Sequence, residues 1–268
     1  MASASKTDRM CAVLLSELNK NEVLSTARCM ELLNVSESTV RRLFIKLEKN
    51  GDAIRVFGGI RSNSSHSVYR YETTYSVKQE AKRAIGRYAG DLIRSGDAVF
   101  VDCGTTTVRM VQRLGERIRS GDVENVSVVT NSLVNLEILA PLCKVILVGG
   151  SYNSERKSFA GYYSEQLVSR FHFDKCFIGV DSFTFQDGFA TSDPDFSHLS
   201  GLAASKSAEA YVLMDASKIG KQSFFVYDRF ERIHQVITDA SVTQQQLKDF
   251  GRCGIFVMVA DAESAVKE

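Results

Sequence analysis

Apolar residues recur along the chain at two periods, and the change of period divides it. In residues 6–19, KTDRMCAVLLSELN, Met10, Val13, Leu14 and Leu18 fall three and four apart, as on one helix face. STARCMELLNV repeats the pattern, with Ser25 placed to cap it. A third helix is expected from a cap at Ser36 to about Lys49. Val40, Leu43, Phe44 and Leu47 share one of its faces, and Ser38, Arg41, Arg42, Ile45 and Lys49 the opposite one. Asn50-Gly51 stops this helix, and GDAIRVFGGI then alternates Ile54, Val56 and Ile60 with Arg55 and Arg61, as a short hairpin or wing does. Residues 62–76, SNSSHSVYRYETTYS, carry no sustained apolar period and are expected to be a linker.

Helical periodicity returns at Val77, in VKQEAKRAIGRYAGDLIRSGD, with Ala81, Ala84, Ile85, Tyr88, Ala89, Leu92 and Ile93 on one side. Short, near-continuous apolar runs then alternate with helical stretches: AVFVD, VSVVT, KVILVGG, KCFIGVD, AYVLMD, HQVITD and GIFVMV. Such runs predict a mostly parallel sheet covered on both faces. The expected fold is α/β: an N-terminal helix-turn-helix with a wing (1–61), the linker (62–76), and a Rossmann-like domain (77–268).

Length and composition agree with this division. A chain of 268 residues with 44% apolar residues suits two domains with real cores. No run of about 18 apolar residues occurs, and charges interrupt the first apolar patch, so neither a membrane span nor a signal peptide is expected and the location is expected to be cytoplasmic. Six cysteines without a CxxC pair, and four histidines far apart, predict neither disulfides nor a zinc site. No cofactor is expected.

The net charge of +1 hides an asymmetry, since residues 41–61 hold six Lys/Arg against two Asp/Glu. A helix, a short turn and a second helix with basic residues near its start is an arrangement that enters the DNA major groove. Arg41 and Arg42 carry the forked donors that guanine edges and phosphates accept, and Ser38 and Thr39 suit either. Ser36, Lys46 and Lys49 complete the candidate helix surface, while Arg55 and Arg61 on the wing would lie along the phosphate backbone. A three-helix packing module with solvated arginines would give the same charge count.

In open parallel sheets ligands bind beyond the carboxyl ends of the strands, and polar residues gather there. Asp102 leads into CGTTTV, where Gly104 and the hydroxyls of Thr105, Thr106 and Thr107 at a helix start suit a phosphate. Asn131 and Ser132, Gly149 and Gly150, Asp181, and then Asp215 and Lys218 follow successive runs. Each alone is equally a cap or a turn.

LNVSESTVRRLFIKLEKNGDAIRVFGGI resembles the helix-turn-helix signature of the DeoR family of bacterial transcriptional regulators, in which Val-Ser, Thr-Ile-Arg-Arg-Asp-Leu and a terminal Gly-Gly recur in this order. Leu43 stands where that family usually has aspartate. KRAIGRYAGDLIRSGDAVFVDCGTTT, VVTNSL, VILVGG, FIGVD, DASKIGKQS and VITD are similar, in order, to segments of its C-terminal domain. The resemblance implies a sugar-phosphate sensor related in fold to ribose-phosphate isomerases. It would place Gly104, Thr105, Thr106 and Thr107 on the phosphate, with Thr130, Asn131, Ser132, Asp181, Asp215 and Lys218 around the sugar. GFATSDPDFSHLSGLAASKSAEA departs from the family pattern, with Asp193 and Asp195 as candidate substitutes for its usual acid.

The expected function is a DNA-binding regulator, a repressor of a carbohydrate-utilisation operon and not an enzyme. It would bind double-stranded operator DNA as a homo-oligomer, dimer or tetramer, and respond to a small phosphorylated sugar. The alternatives are a sugar-phosphate isomerase using Asp181 and Lys218, or an adaptor whose N-terminal helices bind another protein.

Overall fold

In the computed structural model, residues 6–21, 23–50, 52–56, 58–62 and 70–261 are described, and the chain divides near residue 68 into two units. The first contains α1 (Lys6–Asn21), β1 (Val23–Ser25), α2 (Thr26–Leu33), α3 (Glu37–Lys49), β2 (Ala53–Val56) and β3 (Gly59–Ser62). Its core takes Leu14 and Leu18 of α1 and Val40, Leu43, Phe44 and Leu47 of α3 as the sequence pattern expected, whereas Val13 is exposed and the buried residue of α2 is Cys29. Leu43 is thus a core residue, and an aspartate there would be buried. Ser25 caps α2 by accepting from the Arg28 N–H, and Asn34, in the left-handed region (φ 51), turns the chain toward α3. The wing is the β2–β3 hairpin, which β1 extends to three antiparallel strands. A side chain at Gly59 would put its Cβ 2.2 Å from the Leu24 carbonyl oxygen, so the wing can close on β1 only with glycine there.

The second unit begins with α4 (Tyr71–Ser76) and α5 (Gln79–Asp91). It continues through β4 (Ala98–Val101), α6 (Thr105–Ser120), β5 (Ser127–Thr130), α7 (Leu133–Leu139), β6 (Lys144–Leu147), β7 (Ser151–Asn153), β8 (Ser158–Ala160) and α8 (Tyr162–Val168). There follow β9 (Phe173–Gly179), β10 (Ser182–Thr184), β11 (Gly188–Thr191), α9 (Pro194–Ser205), β12 (Ser207–Leu213), a 3-10 turn (Ala216–Lys218), β13 (Phe225–Asp228), β14 (Gln235–Asp239), α10 (Gln244–Arg252) and β15 (Val257–Ala260).

The seven predicted runs form one parallel sheet, ordered β15-β14-β12-β9-β4-β5-β6. Side chains alternate across it. Phe100, Cys176, Ile178 and Val212 pack under α8, α9 and α10, while Val99, Val101, Phe177 and Leu213 pack under α5 and α6. The chain leaves β4 toward β5 and β6, then returns to β9 on the other side of β4. The crevice between the ends of β4 and β9 is therefore the point where strand order reverses, the usual ligand position in such sheets.

The linker expectation for 62–76 needs correction at its C-terminal end. Residues 63–69 lie outside the described residues, but 71–76 are helical and anchored to the second unit. Tyr71 is buried and donates its N–H to the Glu155 carbonyl, Tyr75 stacks under the Arg109 guanidinium at 4.1 Å, and Glu72 pairs with Lys157 at 2.7 Å. Two tyrosines holding a polar segment by ring contacts leave no apolar period to read.

Candidate functional site

The exposed face of α3 presents Ser38, Arg41, Arg42, Ile45 and Lys49, as the periodicity required. Ser36 stands at the N-cap position, but its hydroxyl contacts those of Ser38 (3.0 Å) and Thr39 (3.1 Å) rather than a backbone N–H. Several cations are held within the domain. Lys46 pairs with Asp8 of α1 at 2.7 Å, Arg55 with Glu48 at 2.6 Å, joining wing to helix, and Arg41 with Glu37 at 2.6 Å. The bond to Asp8 raises the Lys46 pKa. The Arg42 side chain bonds only the Ser38 carbonyl of its own helix among the described contacts. Of Arg61 the strand position is described, opposite Val23 and Ile54.

In the second unit a cleft opens at the reversal crevice. Asp102, Gly104, Thr105, Thr106, Asn131, Asp181 and Lys218 line it, so the rule that polar residues after strands share a pocket holds at the ends of β4, β5, β9 and β12. Asp102 is committed to building the crevice. One oxygen accepts from the Gly104 N–H (2.8 Å) and the Thr107 hydroxyl (2.9 Å), the other from the Gly179 N–H (2.6 Å) across the switch. Burial raises its pKa against those bonds. The glycines let the two strand ends meet: a Cβ on Gly104 would lie 3.5 Å from the Gly179 Cα.

Six expected effector residues are not in the cleft lining. Thr107 is fully buried and turns its hydroxyl back to Asp102 and the Gly104 carbonyl. The Thr130 hydroxyl donates to the Val101 carbonyl and accepts from the Asn135 amide, and Ser132 caps α7. Gly149 gives its carbonyl to the Ser164 hydroxyl, and Gly150 allows a close pass, since a Cβ there would stand 2.7 Å from the Ala160 carbonyl oxygen. Asp215 caps the 3-10 turn, holding Ser217 and thereby the turn that carries Lys218. These residues support the site from behind.

Two cations of the cleft, Lys82 and Arg156, carried no sequence assignment. Lys82, on α5, is 2% exposed, lines the cleft, and donates to the Thr74 carbonyl of α4. Burial lowers its pKa to about 8, an effect to which Lys218 and Arg109 add and which Asp215 opposes. Its signal was available, because Lys82 falls in phase with the buried Ile85, Gly86 and Ala89. Arg156, in the β7–β8 loop, lies 4.8 Å over the Phe196 ring and donates to Asp181 at 2.6 Å. The same Asp181 oxygen accepts from the Thr191 hydroxyl (3.0 Å) and from the Ser192 N–H (2.9 Å) and hydroxyl (2.8 Å). Burial would raise the Asp181 pKa, but Arg156, Lys218 and the Ser192 N–H outweigh it and hold it at about 2. Asp193 and Asp195 lie at the start of α9, where Asp193 caps the helix.

The cleft thus combines the ammonium groups of Lys82 and Lys218, the Arg156 guanidinium, and the first turn of α6, whose N–H groups lack intrahelical acceptors. A phosphate suits that set. Beside it, Asp181 is ionised, and the Asn131 carbonyl oxygen, on a side chain 1% exposed, has no hydrogen-bond partner among the described residues. A buried acceptor without a partner suits a ligand hydroxyl. Phe100, Phe196 and Leu199 supply apolar wall.

Comparisons with known proteins agree with both halves. Residues 12–66 match the DeoR-like helix-turn-helix domain and residues 77–240 the DeoR C terminal sensor domain. The lactose phosphotransferase system repressor of Staphylococcus epidermidis is 33% identical over 86% of this chain and 91% of its own length. The HTH-type transcriptional regulator IolR of Bacillus subtilis is 30% identical over 78% and 81%. Among solved structures, ribose 5-phosphate isomerase A of Methanocaldococcus jannaschii shares 16% identity over 54% of this chain and 56% of its own, with a TM-score of 0.41, too loose a likeness to bear on chemistry. With both of its domains matched in order, the chain belongs to the DeoR family.

Proposed function

We propose that this chain is a transcriptional repressor of a carbohydrate-utilisation operon, whose affinity for operator DNA changes when a phosphorylated sugar occupies the cleft. The observation that carries the ligand class is the convergence of Lys82, Arg156 and Lys218 on the start of α6, next to the ionised Asp181 and the unpartnered Asn131 carbonyl. The names of the family relatives, repressors and regulators, support the DNA half. Action in the cytoplasm on paired half-sites by a dimer or tetramer belongs to the same reading. No described helix is long and apolar enough to cross a membrane. The test is a titration of the full chain on promoter fragments, with and without a panel of sugar phosphates, at two salt concentrations. Salt-dependent binding that one sugar phosphate alters is expected, and no DNA binding under any condition would sink the reading.

Two expected results follow from the geometry. Arg42→Ala should weaken operator binding about tenfold, and if Arg42 lies on a phosphate it should reduce the slope of log K against log salt by about one. Anisotropy titrations across salt measure both. The second concerns pH. An anion favours the Lys82 ammonium, whose pKa is about 8 in the free protein. Ligand affinity should therefore be level from about pH 7 up to that value and fall above it, by up to about tenfold per pH unit. A phosphate monoester, with its second pKa near ~6, is already dianionic there. Calorimetry of the wild type and of Lys82→Met, in which the fall should vanish, checks it.

A further inference from the structure

One apolar side chain stands where the proposed DNA-reading face should be polar. Ile45 is 50% exposed, while Val40, Leu43, Phe44 and Leu47 fill the core side of α3. At about 100° per residue, Ser38, Ile45 and Lys49 fall within roughly 40° of one another around the helix, with Arg41 and Arg42 on either side. Ile45 therefore occupies the middle of the basic stripe, and none of its neighbours on that stripe is apolar. Leaving it half in water forfeits part of its hydrophobic burial in the free protein.

A protein partner that covered this face would need to accept several cations around a single apolar contact. The DNA major groove offers that combination directly, since phosphates flank it and the apolar group on its base edges is the thymine 5-methyl. Arg and Ser side chains read hydrogen-bonding edges, which an isoleucine cannot do. We propose that Ile45 is a specificity-determining residue that packs on a thymine methyl near the middle of each half-site. The inference rests on the operator-binding reading and adds to it a requirement for thymine at one position.

The test uses the full chain. Duplexes are enriched from a random pool by wild-type protein, and each thymine of the enriched site is then replaced singly by deoxyuridine, which removes the methyl group alone. For the wild type, one position per half-site should lose about three- to tenfold in affinity, the range expected for one buried methyl contact. In Ile45→Ala that position should become insensitive, changing less than about twofold, while the other thymines behave as in the wild type. Ile45 lies outside the core, so the variant should retain its unfolding midpoint, and Ile45→Asn provides a second variant with the same expected insensitivity. Equal deoxyuridine effects in wild type and both variants would overturn the proposal. So would a change of oligomeric state in the variants with thymine sensitivity intact, which would place Ile45 against a second copy. Failure to enrich any duplex would overturn the DNA-binding reading and this proposal together, a result distinguishable from enrichment without a thymine-methyl effect at Ile45.

Discussion

Arg156→Met should cost the second unit about 3–5 kcal/mol of stability and abolish binding of sugar phosphates. The guanidinium and Asp181 are largely buried partners, with side chains 8% and 17% exposed. Removing one leaves the other's charge in a poorly solvated place, and that uncompensated charge is the source of the loss. Asp181→Asn in the same chain should recover much of the stability but none of the binding, because the anion still lacks its guanidinium. The pH dependence separates these effects. The Asp181 carboxyl is held at about 2, below its ordinary value, so its contribution is present above that ordinary value and lost as pH falls toward 2. Without Arg156 the depression shrinks, and the loss of stability on acidification should be smaller than in the wild type. Urea unfolding at neutral and acidic pH measures the first effect, and calorimetry with the sugar-phosphate panel the second.

Gly86→Ala is expected to be the other severe change, costing at least about 2 kcal/mol although alanine is the better helix former. Helices α5 and α6 touch through Gly86 and Gly90. A Cβ at residue 86 would lie 2.5 Å from the Arg109 Cβ and 2.6 Å from the Arg109 carbonyl carbon. One helix must move, and the crossing sets the spacing between Lys82 on α5 and Thr105 and Thr106 on α6. Ligand affinity should therefore fall along with stability. Gly251→Ala in α10 is the control: nothing lies within 4 Å of its Cβ position, so it should be neutral or stabilising by up to about 1 kcal/mol. Denaturant midpoints for the two variants decide the matter.

Much of the architecture was legible because its periods are regular. Each of the seven apolar runs became a strand of the parallel sheet, and the α3 face became core throughout, while on α1 Val13 stayed exposed and on α2 Cys29 is the buried residue. The antiparallel β10-β11-β13 sheet was not read, because its strands are three or four residues long and mix phenylalanines with turn residues. The site was legible as a place more than as a set of side chains. Asn131, Asp181 and Lys218 reach the cleft, but Thr130, Ser132 and Asp215 spend their oxygens on backbone and neighbouring groups. A sequence shows that a hydroxyl or carboxylate follows a strand, not whether it turns outward to a ligand or back to a cap. Arg156 was invisible for the opposite reason, since its loop has no period and its partner lies 25 residues away.

Helix α4 gives the ammonium of Lys82 a second meaning. That group has three donors, of which one is committed to the Thr74 carbonyl, and Lys82 is also part of the cleft lining. A ligand that engages Lys82 therefore shares an atom with the last turn before α5, and reciprocity binds the two events. By whatever factor detaching α4 would weaken the ligand, bound ligand makes that detachment rarer by the same factor. The segment that leads back toward the first unit is thus a participant in the binding equilibrium as well as a connection, and mutations at Tyr71 or Tyr75 would register as changes in ligand affinity although neither ring lines the cleft.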